Sequence, residues 1–183
     1  MEGCAGKGGE HMFQEGDLIV YGGSGVCLIE GIGPMEMPGA VKGKLYYTLR
    51  PVYCGSSTIF TPTDNDKIVM RRVLTNEEAE QLLEGIEMIE SLEIDDEKRR
   101  EEAYRNILRE CDCIDCIRLL KTLYQRQRVR IESGKKVAAV DERYMKMAEE
   151  SLFGELAVVL KQKKEQVAEL VREKICEKVL TAG

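Results

Sequence analysis

The chain has 183 residues, 43% hydrophobic and 33% charged, with a formal net charge of −6. That composition is typical of a soluble globular protein, and the length allows one generous domain or two small ones. No apolar run approaches the roughly 20 residues of a membrane span, the N-terminus lacks signal-peptide layout, and seven cysteines without framework spacing suit a reducing cytosol rather than a disulfide scaffold.

Residues 1–11 form no credible element and are expected to be a disordered leader. Lys7-Gly8-Gly9-Glu10 can be encoded by a purine-rich stretch resembling a bacterial ribosome-binding site, which makes Met12 the expected translation start. From there the apolar runs Leu18–Tyr21 and Val26–Ile29 flank Gly22-Gly23-Ser24-Gly25, a strand-turn-strand pattern in which glycine supplies the turn. Lys44–Arg50, Ser57–Phe60 and Lys67–Met70 read as three further short strands. Five short strands in residues 12–74 predict a small, strongly bent sheet or partial barrel with exposed strand edges.

The period changes at Thr75. Thr75-x-x-Glu78 is a capping box, and Leu82, Leu83, Ile86, Ile89 and Leu92 recur at helical spacing, predicting an acidic connecting helix over 75–95. A second helix is expected from about Asp95 to Cys111, and a third from Asp112 to Ile131 with Ile114, Ile117, Leu119, Leu120 and Leu123 inward. Ser133-Gly134 ends the third, and Asp141 is read as the cap of a fourth carrying Tyr144, Met147, Leu152 and Leu156. A helical tail over 160–183 either extends the fourth or forms a fifth, and its apolar stripe packs internally or against a second chain. The fold class is therefore α+β, a β-rich module followed by an all-helical domain over 75–183.

The residues give little support to an enzyme. The single histidine, His11, sits in the leader, so histidine-activated catalysis has no candidate. The glycine-rich turn is not followed by a helix or by Lys-Ser/Thr, which rules out a nucleotide fingerprint. Cys111, Cys113 and Cys116 invite a metal or redox reading, but no second pair of ligands lies nearby and packed thiols are the favoured account, so no metal and no cofactor are assigned. Charge is unevenly spread: acids alone occupy 75–95, and a basic excess follows through Lys98, Arg99, Arg100, Arg105, Arg109, Arg118, Lys121, Arg126, Arg128 and Arg130 to Lys135 and Lys136. Such a series either gathers on one surface to bind phosphates or forms an ordinary solvated face.

The residues Phe13-x-x-Gly16-Asp17-x-x-Val20-Tyr21, Gly25-Val26 and Ile29-Glu30-Gly31-Ile32 resemble the N-terminal module of the CarD/CdnL transcription regulators. Leu119–Tyr124, Asp141–Met145 and Leu152-Phe153-Gly154-Glu155-Leu156 extend the resemblance to about residue 160. It implies a Tudor-like module that docks on the RNA polymerase β subunit, and a helical domain that touches promoter DNA in the cytoplasm of a bacterium. The docking edge is expected between Ile32 and Tyr47 with Ser57–Phe60 alongside, which makes Met35, Tyr46, Tyr47, Ile59 and Phe60 the polymerase-contact candidates. Arginines that bind polymerase in some relatives fall here at Met35 and Phe60, so apolar contacts take their place. The DNA-contact candidates are Lys98, Arg99, Arg100, Arg143 and Lys146, acting mainly on phosphates. Glu97 occupies the position of a wedging tryptophan that this chain lacks. The competing reading is a polymerase-bound adaptor whose helices contact proteins.

Overall fold

The computed structural model describes residues 13–35, 41–53, 57–94 and 97–181. The expected leader and the Met12 start lie outside them. The first half is a five-stranded antiparallel sheet: β1 (Leu18–Tyr21), β2 (Val26–Pro34), β3 (Leu45–Pro51), β4 (Ile59–Pro62) and β5 (Met70–Arg72), in the order β4-β3-β2-β1-β5. The glycine segment forms a 3-10 turn at Gly22–Ser24. Gly22 (φ +44°) and Gly25 (φ +69°) hold its left-handed corners, and a Cβ at Gly22 would lie 2.6 Å from Ile68.

Alternation puts Ile19, Tyr21, Cys27, Ile29, Tyr47 and Leu49 in one buried cluster with Phe13. In β2 the pairing with β3 slips between Ile29 and Gly31, a bulge at Glu30. Odd residues face the core before it. After it Ile32, opposite Tyr47, joins the same cluster. The expected strand at Lys67–Met70 is displaced: β5 runs Met70–Arg72, because Tyr21, Val20 and Ile19 of β1 pair with Met70, Arg71 and Arg72.

Five helices follow: α1 (Asn76–Gly85), α2 (Arg100–Glu110), α3 (Cys113–Glu132), α4 (Ala139–Val159) and α5 (Lys164–Thr181). The capping box at α1 is formed in both directions, Thr75 Oγ1 accepting from Glu78 N at 3.2 Å and Glu78 Oε2 from Thr75 N at 2.8 Å. The helix predicted over 75–95 is shorter than expected. It tightens into a 3-10 turn at Ile86–Met88 and stops, because Lys121 of α3 drives its ammonium into the helix end, donating to the carbonyls of Ile86 (2.5 Å) and Ile89 (2.6 Å).

Asp141 is likewise not the cap of α4. The cap is Ala138, and Asp141 lies in the first turn with its carboxylate drawn inward between Arg100 and Arg126. Lys161, at φ +53°, breaks the chain between α4 and α5, so the tail is a separate helix. Its stripe of Val167, Val171 and Ile175 is completely buried against the rest of the same chain. Ile117, Leu119, Leu120, Leu123, Leu152, Leu156 and Tyr104 fill the helical core. Ile114 and Met147, expected inward, are about half exposed. Among the described residues no helix is long and apolar enough to cross a membrane.

Candidate polymerase and DNA contact surfaces

The strand between Ile32 and Tyr47 is not an edge. Those two residues pair with each other inside the sheet, and the outer strand on this side is β4. Within β3 and β4 the pleat divides the candidates. Tyr47 is fully buried, its hydroxyl accepting from Phe13 N, and Ile59 packs on the same core. Phe60 points to the opposite face, 43% exposed, opposite Thr48 and on the same side as Tyr46. Tyr46 is itself largely covered, with its hydroxyl accepting from Val41 N at 3.0 Å. Met35, half-buried, follows the last residue of β2. Side-chain surface on the outer strand thus comes from Phe60, while Met35 follows β2, two strands away, and Tyr47 and Ile59 hold the strands in place.

At the other end of the sheet, β5 is fastened to the helices. Arg71 forms a two-pronged ion pair with Glu155 of α4, and its Nε and Nη2 also donate to the carbonyl of Cys111 at 2.9 and 2.6 Å. Cys111 closes α2 in the left-handed conformation (φ 54°), which turns that carbonyl toward the guanidinium. Glu155 is buried and further accepts from Leu74 N and from the Cys113 thiol. Beside it, Gly154 lets the Tyr53 ring come so close that an added Cβ would sit 3.3 Å from it. A cavity of about 300 Å³ between the glycine turn and α4 is lined by Lys146, Met147 and Lys164.

The basic series does not gather as one uniform face. Lys121 is 3% exposed and spent on the end of α1, so it is unavailable to phosphates. Arg143 donates to Glu101 at 2.6 Å and lies over the Tyr144 ring, holding the Glu101 carboxyl below its usual range. Arg118 pairs with Asp115 and Arg128 with Glu132. Arg100 and Arg126 share Asp141 and Glu97, and the Arg126 hydrogen bond lowers the Glu97 pKa. Lys98, Arg99 and Lys146 are exposed, the first two in the turn leading to α2.

The comparison with known families decides what the sheet is. Residues 13–74 match the family described as the CarD-like/TRCF RID domain. Residues 13–74 are thus a CarD-like RNA polymerase-interacting (RID) domain. RID domains are Tudor-like, and the family interacts with the RNA polymerase β subunit. No curated protein matches the chain.

The RID match ends at Leu74, just beyond Arg71 and just before the capping box. Sequence reasoning assigned no role to the residues that join the RID to the helices. Their signal is nonetheless present: Glu155 is a lone charge within Leu152-Phe153-Gly154-Glu155-Leu156-Ala157, and a carboxylate in such a run must find a buried cation. The thiols of Cys111, Cys113 and Cys116 are all buried, and burial raises each pKa, that of Cys116 to about 12. They pack as neutral groups. Among the described residues no cluster of three or more His, Cys, Asp or Glu is placed to hold a metal ion.

Proposed function

We propose that the chain is a non-enzymatic, cytoplasmic transcription regulator of bacteria. Its RID docks on the polymerase β subunit through the β4 edge, and its helical half contacts promoter DNA to bias open-complex formation. The RID match carries this reading. An edge strand offers unpaired backbone groups to a partner strand, with Phe60 as its exposed side chain and Met35, beyond the end of β2, as a further contact candidate. Docking raises the local concentration of promoter DNA, so weak phosphate contacts from Lys98, Arg99, Arg100, Arg143 and Lys146 suffice.

Footprinting polymerase on a promoter with and without the protein tests this. New protection or longer opening at the upstream edge of the melted region is the expected result. Loss of that effect in Lys98→Ala/Arg99→Ala, with β-subunit affinity unchanged, assigns it to the basic turn.

The adaptor reading draws on one observation: Arg100, Arg126 and Arg143 are engaged by acids of the same chain. An unchanged footprint with altered recruitment of another protein is its signature.

A further inference from the structure

At the end of the helical half, Arg126 lays its fork on the Glu97 carboxylate at 2.5 and 3.0 Å and its Nε on Asp141 at 3.2 Å. Arg100 donates to the same two acids, at 3.1 Å to Glu97 and 3.4 Å to Asp141. The acids are not equivalent. The Asp141 side chain is 3% exposed and that of Glu97 is 58% exposed, while each arginine side chain keeps 26%. Asp141 is therefore a fixed floor, and Glu97 covers the two arginines from the solvent side. Beneath them the hydroxyl of Tyr104, fully buried and within the field of all four charges, has no hydrogen-bond partner among the described residues. The network is not fully satisfied as it stands.

We propose that Arg100 and Arg126 form a site for a backbone phosphate of duplex DNA, and that Glu97 fills it in the free protein as a tethered competitor. This rests on the DNA-contacting reading above. A carboxylate and a phosphate present the same pair of acceptors to a guanidinium fork. The Glu97 contact is solvent-exposed and so inexpensive to exchange, whereas a DNA phosphate releases counterions when neutralised. Asp141 continues to offset one of the two positive charges, so the site takes a single phosphate. Glu97 thus sets a threshold: the contact forms when DNA is held nearby, and free duplex competes poorly.

The test uses the full chain and a short fluorescent duplex over a salt series. Glu97→Gln keeps the side-chain shape and removes the charge. Binding about threefold tighter is expected, with a log–log salt slope steeper by about 0.9, one added phosphate. In an Arg126→Lys background, which keeps the charge but loses the fork, that gain should vanish. A gain undiminished by Arg126→Lys overturns the proposal, since loss of a negative charge anywhere nearby would explain it. So does an unchanged affinity of Glu97→Gln where the wild type binds. If neither wild type nor Glu97→Gln binds duplex at low salt, the DNA reading itself falls, and this site with it. Should Arg126→Lys fail a thermal-melt check of folding, the Arg126 Nε–H resonance of Glu97→Gln decides: a shift on adding duplex is expected, and none overturns the site.

Discussion

Arg71 and Glu155, far apart in sequence, meet with both N···O distances at 2.7 Å, and Glu155 is almost sealed from water while Arg71 keeps 27% of its side chain exposed. That asymmetry has an energetic consequence. Arg71→Met strands a buried carboxylate against Cys113, which should cost about 3–5 kcal/mol. Glu155→Gln leaves a guanidinium that reaches water and still donates to Cys111, so the loss should be smaller, about 1–2 kcal/mol. Urea denaturation of the two variants measures the difference. Equal losses would mean that Glu155 is not the desolvated partner.

Lys121→Met keeps the apolar stem and removes the ammonium that closes α1. Two carbonyls, of Ile86 and Ile89, lose their buried donor. A destabilisation of about 2–3 kcal/mol is expected, with faster amide exchange confined to the end of α1 and the following segment. DNA affinity should not change, which separates this lysine from the exposed basic residues.

Glu78 titrates far below an ordinary glutamate, at about 2, because Arg72 hydrogen-bonds its carboxylate and the Thr75 N–H adds a second donor. The folded value lies under the unfolded one. The cap's contribution is therefore complete above about pH 4.5 and is lost as pH falls toward 2. Carboxyl NMR should show Glu78 still ionised at pH 3, and Arg72→Ala should move its midpoint up toward the normal range.

Gly154 sits inside α4, where alanine would be favoured by about 1 kcal/mol. Its Cβ would stand 3.3 Å from the Tyr53 ring, which is 44% exposed and has room to shift. The two effects nearly cancel, so Gly154→Ala should melt close to wild type. Gly154→Val adds methyls against the same ring and lowers helix propensity, and should cost about 2 kcal/mol more. Thermal melts of the pair settle the sign.

Where the determinants were local, the sequence was easily read. The glycine turn, the alternation of β1 and β3, the Thr75-x-x-Glu78 box and the Ser133-Gly134 stop each act within a few residues. The features that escaped are long-range. Nothing near Ile86 announces that a lysine from another helix ends α1. Asp141 looks like a cap because its two arginine partners lie on α2 and α3. β5 starts late because its pairing with β1 fixes the frame. Of the candidate site, the exposure of Phe60 on an outer strand is legible, whereas the burial of Tyr47 is not, since period-two patterning does not say which of two neighbouring tyrosines turns inward.

The bulge at Glu30 is a change of phase written into one strand. Without it, a continuous ladder would turn Ile32 toward water, and the core would lose its contact with Tyr47 at the very place where β3 goes on to carry β4. Removing the Glu30 residue altogether, by contrast, leaves Gly31 opposite Thr48 and Ile32 opposite Tyr47 in an unbroken ladder, and loses only the bend that the bulge gives β2. The extra residue thus shapes the course of β2 rather than its pairing, and its own side chain forms an ion pair with Arg50 of β3.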